Sequence, residues 1–299
     1  MTFPKDDPMP PRLDVTKTYK LYMNGAFPRS ESGRSLPVLD ADGASMGHIA
    51  HASRKDLRNA VVAARNAASG WAKQTSYLRG QILYRMGEML EGKGEEFAQI
   101  IKKSTGVSIR EARQEVEASV DRLIGYAGWA DKYAQVLGCN NPVAGPYYNF
   151  TVPEPTGVVV ALAPDENSLL GLISMIAPPL CAGCTVVAIG SEAYPIPTSI
   201  FGEVCATSDV PNGVLNLLTG QRAELIDHIA DHRDINAIHA IGLDDATNER
   251  LRLGAAENIK RVTVRDLDES SLFDSDECQS PYWIEPFVEM KTIWHPSAT

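Results

Sequence analysis

Gly157-Val158-Val159-Val160-Ala161-Leu162 and Thr185-Val186-Val187-Ala188-Ile189 are two continuous apolar runs, and a stretch of helical length separates them. Three further runs continue the series at 214–218, 235–241 and 261–264. A strand that is buried on both faces reads as an unbroken apolar run, whereas a strand with one face in water alternates. The series therefore predicts a Rossmann-like α/β fold, in which a parallel sheet carries helices on both faces.

Three amphipathic helices are predicted upstream of this sheet. The first begins at Ser53, with Asp56 in its first turn, which is typical of a capped helix start. The second is predicted over 78–104 and the third over 109–137, because apolar residues recur there at helical spacing. Before them, residues 19–50 carry short strands that turn signals separate.

The two ends of the chain carry different patterns. Residues 1–18 are rich in proline and charge, which predicts an extended, flexible arm. An arm that packs on a neighbouring subunit is the alternative. Residues 139–153 indicate a connecting β-segment, and the alternation over 287–294 predicts a final strand.

Composition limits the class of protein. With a formal net charge of −10 and no block of Lys and Arg, the chain lacks the basic surface that nucleic-acid binding requires. No apolar run is long enough to cross a bilayer, and the first residues lack the apolar core of a signal peptide. The odd number of cysteines argues against a disulfide framework. We therefore expect a cytoplasmic protein that binds neither nucleic acid nor membrane.

Four segments resemble the aldehyde dehydrogenase superfamily. Residues 22–27 are similar to the family's opening hairpin, and residues 177–187 to its Ala-Pro-Ala-Leu-Ala-Ala-Gly-Asn-Thr-Val-Val segment. Residues 210–220 are close to its Leu-Pro-x-Gly-Val-x-Asn-Val-x-x-Gly segment. Residues 288–293 look like its closing Thr-Glu-Val-Lys-Thr-Val strand.

This resemblance implies a division into domains. Residues 19–138 and 154–270 correspond to the family's cofactor-binding-type domain, and residues 139–153 and 283–299 to its oligomerisation segments. The family's catalytic domain falls between these pieces, and we expect it to be absent because the chain has no room for it there. The layout is similar to the non-catalytic second half of family-16 type aldehyde dehydrogenases.

The positions that carry catalysis in the family hold other residues here. Glu166 stands where the resemblance places the asparagine that donates to an oxyanion, and an ionised carboxylate only accepts hydrogen bonds. Arg265 aligns with the general base, and a guanidinium stays protonated at neutral pH. Cys278 follows Arg265 too soon to be the nucleophile and lies among acidic residues, which raise a thiol pKa. We expect no catalytic residue, and we predict that Glu166 and Arg265 form an ion pair.

The family's cofactor positions are partly kept. The resemblance leaves Glu192, Gly220 and Gly242 as weak candidates for cofactor binding, whereas Ile189 replaces the lysine that would hold the ribose. Asp244 follows Gly242 at a predicted helix start, where its carboxylate would repel a pyrophosphate. We therefore expect no cofactor, with NAD as the alternative.

No metal site is expected. Cys181 and Cys184 form a Cys-x-x-Cys pair without a second pair, so both are predicted to fill the core. His228 and His232 lie four residues apart on a predicted helix, but no glutamate of the metalloprotease pattern lies between them. We therefore expect both histidines to lie on a solvated helix face.

Together these observations predict a non-catalytic aldehyde-dehydrogenase-like subunit. In the family, the oligomerisation strand of one subunit adds to the catalytic-domain sheet of another. The predicted partner is therefore a full-length aldehyde dehydrogenase homologue, contacted through Val288, Met290, Thr292 and Trp294 of the final strand. A dinucleotide-binding sensor and a residual NAD-dependent aldehyde oxidoreductase are the alternatives.

Overall fold

A computed structural model describes residues 15–268 and 270–297 of the chain. Most of the predicted arm, residues 1–14, lies outside these described residues. The first described strands form a small three-stranded sheet in the order β1-β3-β2. They are β1 (Thr18–Tyr19), β2 (Ser35–Leu39) and β3 (Ser45–Ala50). The strand pairing of Thr18 with His48 shortens the predicted arm by one residue.

Five helices follow. They are α1 (Arg54–Ala72), α2 (Ser76–Gly92), α3 (Gly94–Thr105), α4 (Ile109–Trp129) and α5 (Tyr133–Leu137). The predicted start of α1 is confirmed, because the side chains of Ser53 and Asp56 form a reciprocal capping box.

Two helix predictions were wrong in their extent. The helix predicted over 78–104 is divided at Lys93, which lies between two glycines, and glycine in a helix interior costs about 1 kcal/mol relative to alanine. The helix predicted over 109–137 is interrupted after Trp129. There the chain turns and buries Tyr133, whose hydroxyl donates to the Ala182 carbonyl at 3.2 Å.

The predicted parallel sheet is confirmed, with five strands in the order β10-β9-β6-β7-β8. Its strands are β6 (Val158–Leu162), β7 (Thr185–Ile189), β8 (Leu215–Leu218), β9 (Ala237–Ile241) and β10 (Arg261–Arg265). The connecting helices are α6 (Ser168–Ala182), α7 (Ile196–Ala206), α8 (Ala223–Asp231) and α9 (Asp245–Ala256).

Helices cover both faces of this sheet. Val159 and Ala161 of β6 pack into a core with α2, α4, α6 and α7, and Val158 and Val160 pack into a second core with α1, α8 and α9. Helix α6 is buried along its whole length, as expected of a helix that is apolar on every side. Among the described residues, no helix is both long and apolar enough to cross a membrane.

A second three-stranded sheet stands apart, in the order β11-β5-β4. Its strands are β4 (Cys139–Asn141), β5 (Tyr147–Pro155) and β11 (Val288–Pro296). The final strand is thus confirmed, and it pairs antiparallel with β5 along its full length.

Residues 266–287 connect the parallel sheet directly to β11. They contain the four-residue helix α10 (Ser275–Cys278) and short 3-10 turns. Leu272, Trp283 and Phe287 from this connection are buried in the core that contains α4 and α6. The guanidinium of Arg261 donates to the carbonyls of Pro286 and Val288, which fixes the start of β11 against β10.

Candidate functional site

A cleft of about 460 Å³ lies at the carboxyl edge of the parallel sheet. Ligands of open α/β sheets bind at this edge, where strands end and helices begin. Helices α6, α8 and α9 all start at the cleft, and Glu192 and Gly242 line it. Two of the three cofactor candidates therefore lie together.

An ionic network fills one side of the cleft. The Arg222 guanidinium contacts Asp165 Oδ2 at 2.5 Å and Glu192 Oε1 at 3.2 Å, and it donates to the Ala163 carbonyl at 2.9 Å. The backbone N–H of Arg222 also donates to Glu192 Oε1. The carboxylate that would hold a ribose is therefore already engaged by the chain itself.

Asp165 fixes the second half of this network. Its Oδ1 accepts from Ser191 Oγ at 3.0 Å and from the backbone N–H of Glu192 at 2.7 Å. Asp165 is a carboxylate at the carboxyl edge of the sheet, and its charge favours a cationic partner. The sequence reasoning missed Arg222 because the two residues are 57 positions apart.

At the start of α9, the chain itself also supplies a hydrogen-bond acceptor for a free backbone amide. Asp244 is its N-cap and accepts from the backbone N–H and the hydroxyl of Thr247, at 2.9 and 2.6 Å. The hydrogen bond from the Thr247 side chain lowers the pKa of Asp244 below its ordinary value, so the carboxylate remains charged where a phosphate would approach. Gly242 is exposed at φ +59, with open space beside it.

Gly220, the third candidate for cofactor binding, does not line the cleft. Its φ is +134, and a Cβ at this position would meet His51 Cδ2 at 2.7 Å and the Ala52 backbone nitrogen at 3.0 Å. The segment His51-Ala52 of the same chain, rather than a ligand, therefore leaves no space for a side chain at this position. The glycine therefore serves the packing of the segment that follows β3.

The predicted ion pair between Glu166 and Arg265 is wrong. Glu166 is exposed at the mouth of the cleft and has no salt-bridge partner within the described ranges. Arg265 points into the core instead, where its Nε donates to His239 Nε2 at 3.0 Å and its guanidinium carbon lies 3.7 Å from the Trp283 ring centroid. A guanidinium is weakly hydrated, so contact with the indole face and the imidazole nitrogen is favoured over an ion pair with the exposed Glu166.

His239 is neutral in this environment. Burial, and then the charge of Arg265, lowers the pKa of His239 from 6.5 to about 3. Its Nδ1 lies 2.9 Å from the Met175 carbonyl, so Nδ1 carries the proton and Nε2 accepts from Arg265. Burial also lowers the pKa of Arg265 below its ordinary value, yet a hydrogen-bonded guanidinium offers no lone pair for proton abstraction.

The cysteines contribute to packing. Cys181, Cys184 and Cys278 are fully buried, and burial raises the pKa of each thiol. Cys278 Sγ donates to the Ser271 carbonyl at 3.3 Å. In the part of the chain that the structure describes, no group of three His, Cys, Asp or Glu residues converges as a metal site would.

Glu115 is a buried acidic residue beside the cleft whose structural role the sequence reasoning missed. It lies on α4 and is 5% exposed, and its Oε1 accepts from the backbone N–H groups of Leu169 and Leu170 at 2.8 and 3.3 Å. These donors are free amides at the start of α6, whose N-cap residue Asn167 makes no side-chain cap bond. No local pattern could show that α4 supplies the cap of α6.

Glu115→Gln is expected to raise the free energy of unfolding at pH 7 by about 2 kcal/mol. Burial raises the pKa of Glu115 from 4.5 to about 6, so the folded state binds the proton more tightly than the unfolded state. The resulting stability is complete below pH 4.5 and is lost as the pH rises to 6. Urea unfolding between pH 4 and 7.5 measures this pH-dependent stability. Glutamine is chosen because its side-chain oxygen still accepts from the amides of Leu169 and Leu170.

The neighbouring exposed residue provides a matched control. Glu117→Gln on the same helix should change the free energy of unfolding by less than about 0.5 kcal/mol. Equal effects of the two variants at pH 7 would refute the role given to Glu115.

Comparisons with known proteins agree on one family. The model of the "Aldehyde dehydrogenase family" matches residues 28–265. The chain is 32% identical to the mitochondrial aldehyde dehydrogenase family 2 member B4 of Arabidopsis thaliana, over 85% of this chain and 47% of that protein. It is 31% identical to D-glyceraldehyde dehydrogenase (NADP(+)) of Thermoplasma acidophilum, over 82% of this chain and 49% of that protein.

A solved structure gives the same result. The NAD+ complex of an aldehyde dehydrogenase from Bacillus cereus superposes with a TM-score of 0.79 at 28% identity, and the match covers 84% of this chain and 51% of that one. The chain thus spans about half the length of the relatives it matches.

Proposed function

The chain belongs to the aldehyde dehydrogenase family, and on that premise we propose that it is a non-catalytic subunit that supports or regulates a full-length catalytic homologue. The observation that carries the proposal is the placement of Arg265. It stands where the resemblance implies the general base, and it is hydrogen-bonded to His239 and stacked on Trp283.

The internal connection supports the same proposal. In the family, the catalytic domain is inserted between the last strand of the cofactor sheet and the oligomerisation strand. Here residues 266–287 alone connect β10 to β11, and their apolar side chains complete the core. The only cysteine in this connection, Cys278, is buried and bonded to Ser271, so it cannot approach an aldehyde.

The arrangement of the cleft argues against dinucleotide binding. Relatives of known structure bind NAD+, and NAD binding by this chain is the alternative. Here, however, Arg222 is paired with Asp165 and Glu192 on the side where a ribose would bind. On the side where the phosphates would bind, Asp244 already caps the start of α9. A pyrophosphate would have to displace a carboxylate that already satisfies the helix terminus.

An exposed face of the second sheet supports assembly with a partner. Residues alternate between faces along β11, so Met290, Thr292 and Trp294 share one exposed face. Val288 was also predicted to contact the partner, but it is 3% exposed and packs in the core at the start of β11, so it does not belong to this surface. Met290 is 45% exposed and Trp294 is 57% exposed, and Tyr147 of β5 packs edge-on against Trp294 with ring centroids 5.8 Å apart. Large apolar side chains on an exposed sheet edge are typical of an interface.

Co-expression with a full-length aldehyde dehydrogenase from the same organism tests this assembly. We expect one shared peak in size-exclusion chromatography. Trp294→Ala is expected to weaken the complex roughly 30-fold, because a buried interface tryptophan contributes about 2 kcal/mol or more.

His295→Ala provides the control, because His295 is the next residue along β11 and faces the opposite side of the sheet. It should leave the complex within about threefold of the unmodified affinity. Two independent peaks for the unmodified pair, or equal losses in both variants, would contradict the proposed interface. NADH formation from an aldehyde by the purified chain alone would contradict the non-catalytic role.

A further inference from the structure

A groove of about 870 Å³ lies between α2 and the end of α4, away from the cleft. The two helices approach closely along it, because a Cβ at Gly80 would meet the Ala127 carbonyl oxygen at 2.9 Å. Tyr77 and Tyr84 line the groove and are 69% and 51% exposed. Within the described part of the chain, both rings are therefore largely open to solvent.

One side of α2 carries the residues that face this groove. Tyr77, Gln81, Tyr84 and Glu88 follow one another at helical spacing and all line it. The two tyrosines are two turns apart, which is roughly 10 Å along the helix axis. Glu88 takes part in no salt bridge with another described residue. The groove thus presents two aromatic rings followed by a carboxylate.

The segment Asp7-Pro8-Met9-Pro10-Pro11-Arg12 precedes the described part of the chain. Proline fixes its own φ and biases the residue before it towards extended backbone, so this sequence favours a polyproline II helix. In that helix Pro8 and Pro11 are one turn apart, which is roughly 9 Å, and they share one face. This spacing matches that of the two tyrosines, and proline-rich segments bind in aromatic-lined grooves.

The chain enters the described region near the end of α2. Lys17 Nζ lies 3.8 Å from Glu203 Oε1, and the Glu203 carboxylate also pairs with Lys93, the C-cap residue of α2. Glu88 precedes Lys93 by roughly 8 Å along the helix. The five residues from Arg12 to Lys17 can span up to roughly 17 Å, so Arg12 can reach the Glu88 carboxylate.

We propose that residues 7–12 dock in this groove of their own chain as a polyproline II helix that runs parallel to α2. Pro8 packs on Tyr77 and Pro11 packs on Tyr84, while the arginine that follows pairs with the carboxylate at the end of the groove. The aspartate that precedes Pro8 then approaches the start of α2, whose first turn carries no acidic side chain. The contact is independent of the proposed assembly through β11.

Limited trypsin digestion of the whole chain tests the proposal, because docking protects the bond that follows Arg12. Mass spectrometry follows the release of the peptide that ends at Arg12. A synthetic peptide of residues 7–17 gives the rate for the unprotected bond. We expect the bond in the protein to be cut about tenfold more slowly, at a rate that depends on the undocked fraction.

Protein concentration distinguishes the chain's own segment from that of a second copy. The protection should be equal at low and at high protein concentration, because docking within one chain is unimolecular. Equal cleavage rates in the protein and the peptide would overturn the proposal. Protection that grows with protein concentration would also overturn it, because the groove would then hold the segment of a second copy.

Two double variants locate the contact on the groove. Tyr77→Ala/Tyr84→Ala should raise the cleavage rate to within about twofold of the peptide rate, because the proline rings lose their aromatic surface. Tyr148→Ala/Tyr282→Ala removes two rings that are 51% and 63% exposed elsewhere, and it should leave the rate within about twofold of the unmodified protein. Equal effects of the two double variants would contradict the assigned groove.

The segment itself supplies a second matched pair, which leaves the described part of the chain unchanged. Pro8→Ala should raise the cleavage rate about threefold, because Pro8 is on the face that contacts α2. Pro10→Ala removes a proline from another face of the same polyproline II helix and should change the rate by less than about 1.5-fold. Equal effects of these two variants would show that no particular face is bound, and would overturn the proposal.

Discussion

Replacing Trp283 by alanine is expected to lower the free energy of unfolding by about 3–5 kcal/mol. The indole is 4% exposed, its face carries the Arg265 guanidinium, and its edge meets the His239 ring with centroids 5.9 Å apart. The truncation leaves a cavity and a partly buried cation without its aromatic partner. Urea unfolding with circular dichroism at pH 7.5 measures the loss.

The adjacent tyrosine is the control. Tyr282 is 63% exposed in the same 3-10 turn, so Tyr282→Ala should change the free energy of unfolding by less than about 0.5 kcal/mol. The comparison decides a functional question, because residues 266–287 close the core only if Trp283 contributes as a core residue. A Trp283→Ala protein as stable as the Tyr282→Ala protein would mean that Trp283 does not close the core around Arg265 and His239.

His239 is expected to make the protein sensitive to acid. Its pKa is lowered from 6.5 to about 3, so the unfolded state binds its proton more tightly than the folded state. The stability that depends on neutral His239 is complete above pH 6.5 and is lost as the pH falls towards 3. Over that range the linkage amounts to about 5 kcal/mol.

His239→Gln separates this effect from the others. A glutamine amide can donate to the Met175 carbonyl and accept from Arg265, but it does not titrate. Urea unfolding between pH 4 and 7.5 should therefore show a weaker loss of stability on acidification in His239→Gln than in the unmodified protein. Glu115 acts in the opposite direction between pH 4.5 and 6, so the Glu115→Gln protein should lose more stability on acidification. Identical pH profiles for His239→Gln and the unmodified protein would contradict the neutral imidazole.

The two titrating groups both contact α6. Glu115 caps α6, the helix that follows the loop containing Glu166, and His239 accepts from Arg265. Both are buried and contact α6, because Glu115 accepts from the Leu169 N–H and His239 donates to the Met175 carbonyl. Their burial is consistent with the proposed non-catalytic role.

The sequence by itself determined the architecture. Apolar runs such as 158–162 and 185–189 specified buried parallel strands, and the capping box of Ser53 and Asp56 specified where a helix begins. From the resemblance, the identities of Glu166 and Arg265 predict that an oxyanion donor and a base are missing, and this stays a prediction. The strands and the helix start were predicted correctly because periodicity and caps are local properties that do not require knowledge of the neighbours.

Only the tertiary structure decided which charges meet. The order β10-β9-β6 places His239 beside Arg265, and the chain returns through Trp283 to cover the guanidinium, so Glu166 is left in solvent. Arg222 reaches Asp165, and Glu115 reaches the start of α6, across long sequence separations. Each charged side chain has several chemically suitable partners along the chain, and packing of the elements determines which of them lies within hydrogen-bonding distance.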